Sequence, residues 1–387
     1  MNKKILIATF VILIVISSFF VFSRNKPAQL SGSSITFLNN QDNSDDNNYK
    51  KAIERLDFVF PEDHAAHPEF LTEWWYYTGN LFTADGRHFG YQLTFFRRAI
   101  SDQFEVSSTS DWASNQIYLA HFAVTDTSSN QHHVYDQISR GSAGLAGTSV
   151  DPLFSIWLKD WEIVQLEENV YQMNAGSDEV EINFILTDLK GIIFHGDGGL
   201  SQKGSEIDNA SYYFSQTRME TTGTIRISDE EFDVNGLSWM DHEFGTSTLG
   251  SDQIGWDWFS IQLENNTEIM LFQIRQDDGS ISEISSGTII YKEGNTENLE
   301  MNDFKIEVID IWQTSDQIIY PNKWKINVEK MNLDMEITPV IYDQEMNLFF
   351  RYWEGAVRIN GTLNGEKISG YGYVELTGYA QSMQGVF

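Results

Sequence analysis

Trp239-Met240-Asp241-His242-Glu243-Phe244-Gly245 sets three ionisable side chains in succession among large apolar ones. Burial in such surroundings raises a carboxyl pKa, which makes the acid a proton donor near neutral pH, and an adjacent His tunes it. Asp241, His242 and Glu243 are therefore candidate catalytic residues. The competing reading is structural: the same groups bond loop backbone and hold two halves of the chain together, as buried polar groups usually must. Glu73 and Asp257 pose the same question. Each stands beside tryptophans, in Glu73-Trp74-Trp75-Tyr76-Tyr77 and in Gly255-Trp256-Asp257-Trp258-Phe259. Facing a barrel interior, either carboxylate is a ligand-binding or catalytic group. Otherwise Arg97, Arg98 and Arg275 are available for Arg–carboxylate pairs across strands.

Other chemistries lack their residues. The 387-residue chain has no Cys, which removes disulfides, thiolate nucleophiles, zinc ribbons and iron–sulfur clusters. Its formal charge of -31 opposes binding to nucleic acid, which needs clustered Lys and Arg. Gly236-Leu237-Ser238-Trp239-Met240 lacks the final Gly of a nucleophile elbow, and there is no phosphate-binding Walker loop. His242-Glu243 has no second His at zinc-protease spacing, and His132-His133 would point to opposite faces of a strand. Asp42, Asp45 and Asp46 lack the central Gly and terminal Glu of a calcium loop. No metal site is expected.

The elements that must hold these residues are strands. In FGYQLTFFR, Phe89, Tyr91, Leu93 and Phe95 share one face, and the same period of two recurs in VEINFILTDL, WFSIQLE, EIMLFQIRQ, KWKINVE and YGYVELTGY. Asp85-Gly86, Asp278-Gly279, Glu293-Gly294 and Asn364-Gly365 are hairpin signals between such runs. Helical candidates are few: Tyr49 to Leu56, and parts of 100–116 and 150–160. Many short strands closing on themselves predict an all-β protein of barrels or sandwiches. A looser symmetry divides it. Each half opens with a tryptophan-rich strand, then a hairpin, then an apolar strand ending in Arg, at Arg97 and Arg275. We expect a domain over 51–235 and a second over 236–387, each able to enclose a small apolar ligand. Before them, ILIATFVILIVISSFFVF at 5–22, preceded by Lys3 and Lys4, is long enough to cross a bilayer. Residues 1–27 are thus expected to form a membrane anchor, or a secretion signal if cleaved. Residues 28–50, rich in Ser, Asn and Asp, form a flexible linker.

Six stretches together resemble the AttH and carotenoid 1,2-hydratase (hydroxyneurosporene synthase) family: HPEFLTEWWYYTGNL at 67–81, GYQLTFFR at 90–97, SYYFSQTRM at 211–219, GLSWMDHEFG at 236–245, GWDWFSIQL at 255–263, and YWEGAVRINGTLNG to GYVELTGYA at 352–380. The Phe244-Gly245 ending is similar to the AttH branch. The resemblance implies two lipocalin-like β-barrels. For its hydratase members it implies addition of water to an isolated C=C bond of an acyclic carotenoid without a cofactor: an acid protonates the alkene, aromatic faces tolerate the cation, and a positioned water adds. Mapped onto this chain, Asp241 is the proton donor, His242 and Glu243 tune it or position water, and Trp74, Trp75, Trp256 and Trp258 are wall residues. With Glu73, Tyr76, Arg97 and Asp257 these make the candidate ligand-binding set. The expected partners are a hydrophobic isoprenoid or lipid and the membrane, with the bulk of the chain outside the cytoplasm. The alternative is a non-enzymatic accessory protein of an envelope transporter, also in keeping with the AttH branch.

Overall fold

The structure, a computed structural model, describes residues 48–100, 110, 113–247 and 249–384. The expected anchor, most of the linker and much of the 100–116 helical candidate lie outside the described residues. Among the described residues no helix is long and apolar enough to cross a membrane.

Strands dominate, in two antiparallel sheets that follow one another along the chain. The first contains β1 (Thr72–Phe82), β2 (His88–Ala99), β3 (Gln116–Asp126), β4 (Gln131–Arg140), β5 (Ala146–Ser149), β6 (Ser155–Leu158), β7 (Trp161–Glu167), β8 (Val170–Gly176), β9 (Val180–Asp188), β10 (Ile193–Phe194), β11 (Leu200–Gln202), β12 (Ala210–Ile227) and β13 (Glu230–Gly245). The second contains β14 (Gln253–Leu263), β15 (Glu268–Gln276), β16 (Ser286–Ile290), β17 (Thr296–Glu300), β18 (Phe304–Gln313), β19 (Ile319–Val328), β20 (Leu333–Pro339), β21 (Glu345–Asn347), β22 (Arg351–Leu363) and β23 (Glu366–Leu376). The order in the first is β4-β3-β2-β1-β13-β12-β9-β8-β7-β6-β5, with β10 and β11 also on β12. In the second it is β17-β16-β15-β14-β23-β22-β20-β19-β18, with β21 on β22. Each tryptophan-rich strand, β1 and β14, thus lies between the next strand of its hairpin and the last strand of its module.

Both sheets curl into near-barrels. Gln137 on β4 reaches Asp160 at 3.0 Å across the gap between the ends of the first sheet, and a short 3-10 turn over Met301–Asp303 joins the end strands of the second. Alternation does the rest. On β1, Trp75, Tyr77 and Leu81 point into a core that includes Phe89, Tyr91, Leu93, Phe95, Phe184 and Met240. On β14, Phe259 and Ile261 point into one that includes Trp324, Trp353, Val357 and Val374. The barrel interiors, where the ligand was expected, are occupied by these packed side chains.

The four hairpin signals fall between strands. At β22–β23 Asn364 (φ 54°) and Gly365 (φ 83°) make the two-residue turn whose paired positive φ angles match strand twist. Two helical expectations fail. Residues 49–56 run without helix, with Tyr49 and Ala52 buried, and 150–160 contains β6, where Ile156 and Leu158 are buried alternately with partly exposed neighbours. The change of sheet falls between Gly245 and Gln253, so 236–245, grouped above with the second half, forms the end of the first sheet's β13.

Candidate active site between the barrels

Because successive side chains on a strand face opposite ways, the Trp239–Phe244 run is divided between two environments. Met240 and His242 point into the first barrel, while Trp239, Asp241 and Glu243 point out of it toward the second. The register places Tyr76 opposite Asp241 and Trp74 opposite Glu243, with Ser215 and Tyr213 on their other side. The second sheet presents Trp256 and Trp258 from β14, Phe272 and Ile274 from β15, Tyr352 and Glu354 from β22, and Glu375 from β23. Between these outer faces lies a cavity of about 800 Å³, counting the space at its mouth. The first wall adds Thr94, Phe96 and Lys203.

Four carboxyl groups therefore share one aromatic cavity, two from each sheet. Asp241 is buried and takes hydrogen bonds from Tyr213 Oη at 2.6 Å, Trp239 Nε1 at 2.6 Å and the Ser215 hydroxyl. Trp258 of the second sheet donates to Tyr213 Oη at 3.1 Å, which leaves the tyrosine proton for Asp241. Burial pushes the Asp241 carboxyl up to about 7; the three donors hold it back and the neighbouring Glu243 adds to the rise. Glu243 accepts from Ser211 Oγ at 2.5 Å and pairs with Lys203 Nζ at 3.1 Å. That ammonium lies 4.3 Å from the ring centre of Phe272 and 4.9 Å from that of Tyr213. Opposite, Glu375 accepts from Trp256 Nε1 at 2.9 Å, and burial, reinforced by Asp241 and Glu243, pushes it up to about 7. Glu354 accepts the Tyr76 hydroxyl, and burial next to Glu375 holds it well above the usual carboxyl range. Tyr352 Oη lies 2.7 Å from His121 Nδ1 behind the wall.

Of the candidate residues, Asp241, Glu243, Trp74, Tyr76, Trp256 and Trp258 line the cavity, and His242, Glu73, Trp75, Arg97 and Asp257 lie outside its lining. His242 stacks on Trp75, ring centres 4.7 Å apart. Its Nε2 lies 2.8 Å from Glu73 Oε1, which also meets His67 Nδ1 at 2.7 Å, while Glu73 Oε2 accepts from Arg97 Nε at 2.7 Å. Burial opposes the charge on Glu73, yet Arg97, His67 and His242 hold its pKa well below normal. Burial likewise opposes the charge on His67, but Glu73 and Asp63 outweigh it and raise the imidazole to about 9. His67, Glu73 and His242 have atoms close enough to share a metal ion. Glu73 and Asp63 are already balanced by Arg97 and the protonated His67, however, and a cation bound there would have to displace the protons that tie the imidazoles to Glu73 Oε1. The cluster is a charge-balanced clamp inside the first barrel. Asp257 is likewise held, by Arg275 Nε at 3.0 Å and Tyr379 Oη at 3.0 Å.

The sequence reading passed over Lys203, Tyr213, Glu354 and Glu375. A signal existed for the two glutamates: each interrupts an apolar strand beside a tyrosine, in Tyr352-Trp353-Glu354 and Tyr373-Val374-Glu375, as Glu73 and Asp257 do beside tryptophans.

The AttH-like family model matches residues 51–379, and the chain belongs to that family. Kievitone hydratase of Fusarium solani subsp. phaseoli is 22% identical over 223 residues, 54% of this chain; the match spans 61% of that relative's length. Among solved structures, the AttH protein NE1406 of Nitrosomonas europaea superimposes with a TM-score of 0.74 at 31% identity, covering 84% of this chain and 97% of its own. Kievitone hydratase from Nectria haematococca superimposes with a TM-score of 0.64 at 16% identity, covering 86% and 97%, a likeness of fold.

Proposed function

We propose that this protein is a cofactor-independent hydratase that adds water to a C=C bond of a hydrophobic isoprenoid-like substrate held between its two barrels. The observation that carries the reading is Asp241: a buried carboxyl, raised to about 7, on the wall of an aromatic cavity. A carboxylic acid in that state is matched to proton donation at neutral pH. Hydratases in the same fold, one of them aligned over half of the chain, support the same chemistry.

Asp241 gives its proton to one alkene carbon, and the π electrons form the new C–H bond. The cation left on the other carbon is stabilised by the faces of Trp74, Trp256 and Trp258. Water adds through oxygen, and its surplus proton returns to the Asp241 carboxylate, so only water and alkene are consumed. Glu243, fixed by Lys203 and Ser211, is an acceptor placed to orient that water. Asp241→Asn keeps the size of the side chain and removes the acid. Incorporation of isotope-labelled water into an acyclic terpenoid or carotenoid alkene should fall by about 100-fold or more, the usual contribution of a general acid. An unchanged rate in a folded variant would remove Asp241 from the donor role.

A further inference from the structure

The acids on the two walls are not equivalent. Asp241 accepts from Trp239 and Ser215 on Oδ1 and from Tyr213 on Oδ2, which leaves one lone pair of Oδ2 for its proton. Glu354 accepts only the Tyr76 hydroxyl, on Oε1. Its Oε2 is buried and has no partner among the described residues, although the side chain lines the cavity. Glu375 stands directly opposite Glu354 in the β22–β23 register, and among the described residues neither forms an ion pair with Lys or Arg. Two adjacent carboxyls without a cation cannot both stay ionised in a buried site. The Tyr76 proton already occupies Oε1, so a proton on Glu354 resides on Oε2, the atom that lacks a partner. Such an O–H has to be satisfied by an acceptor, because an unmade buried hydrogen bond is costly.

Building on the hydratase reading, we propose that Glu354 is a hydrogen-bond donor to an uncharged oxygen of the ligand, so that the cavity selects electrically neutral, oxygen-bearing hydrophobes over plain hydrocarbons. The rest of the lining agrees. A ligand carboxylate would confront Asp241, Glu354 and Glu375, while Lys203, the cation on the wall, is engaged by Glu243. A ligand ammonium beside Glu354 would have to ionise an acid whose burial next to Glu375 holds its proton. An ether, carbonyl or hydroxyl oxygen needs neither. It anchors one end of the molecule on the second sheet while the aromatic walls hold the rest.

The test uses four probes that share one carbon skeleton: geranyl methyl ether, the parent hydrocarbon 2,6-dimethylocta-2,6-diene, geranic acid and geranylamine. Their binding to the full-length chain at neutral pH is followed by quenching of tryptophan fluorescence. The ether should bind about tenfold more tightly than the hydrocarbon, the scale of one hydrogen bond, and more tightly than either charged probe. Glu354→Leu should abolish the preference, and Glu354→Gln, whose amide still donates, should retain most of it. If Glu354→Leu leaves Tyr76 stranded and the protein unstable, Tyr76→Phe with Glu354→Leu removes both partners and should give the same loss. Equal binding of ether and hydrocarbon, tighter binding of either charged probe, or no binding of any probe would overturn the proposal. The hydration assay is separate: a protein that prefers the ether but hydrates nothing keeps this subsite and loses the proposed reaction, and one that hydrates without the preference does the reverse.

Discussion

Asp241 and His242 are neighbours in sequence and belong to different worlds: one carboxyl lines a cavity shared by two barrels, and the next side chain stacks on Trp75 inside one of them. The burial of this run was legible, because three ionisable residues among Trp, Met and Phe are hard to place anywhere except in a buried site. The separation of their roles was not, since it depends on which face of β13 meets the partner sheet. Burial of Asp241 also has a thermodynamic signature. Its folded pKa is raised above an unfolded value of about 3.9, so its contribution to stability is present in full below that value and is lost as pH rises toward about 7. A shift of that size is worth up to about 4 kcal/mol. Asp241→Asn should therefore flatten the decline in unfolding free energy between pH 5 and pH 7, as measured by urea melts. Glu354 and Glu375 are shifted in the same direction, so part of the slope remains. An undiminished slope would show that Asp241 titrates normally in the folded protein.

Strand alternation made most of the elements readable, including the pairing of both tryptophan-rich strands with arginine-terminated neighbours. It also led two helices astray, because 49–56 and 150–160 pack a few apolar residues without enough length to reveal a period. Glu73 and Arg97 show what a strand pair can do with ionisable residues that lie outside the cavity lining. They stand opposite each other in the β1–β2 register, both buried, and Arg97 also donates to the backbone carbonyls of His67 and Phe70. Arg97→Met removes the guanidinium and strands a buried carboxylate. It should cost about 3–5 kcal/mol in urea unfolding, the usual penalty for breaking a buried pair. A cost under about 1 kcal/mol would mean that Glu73 is neutralised by His67 and His242 alone.

At the scale of the molecule, the cavity is a product of docking. Each barrel fills its own interior, and the cavity exists because two outer faces, each studded with Trp, Tyr and acids, meet without closing completely. Buried bonds fix that meeting: Arg218 and Lys190 of the first module both hold Glu268 of the second, and Gln262 donates to the carbonyls of Thr217 and Ser238. Two modules could be read from the repeated pattern of strands, but the face each offers the other could not, because a strand apolar on both sides does not say which side is interior. Tyr213 joins the walls, receiving a hydrogen bond from Trp258 of one barrel and giving one to Asp241 of the other. If Asp241 is the acid of a hydration carried out there, the pH dependence of hydration in wild type and Tyr213→Phe will carry its signature. The wild-type rate should fall as pH rises through about 7, where Asp241 loses its proton. Tyr213 lowers that pKa, so its removal should move the fall to higher pH. A fall that stays in place or moves to lower pH would contradict the assignment of Asp241 as the titrating acid.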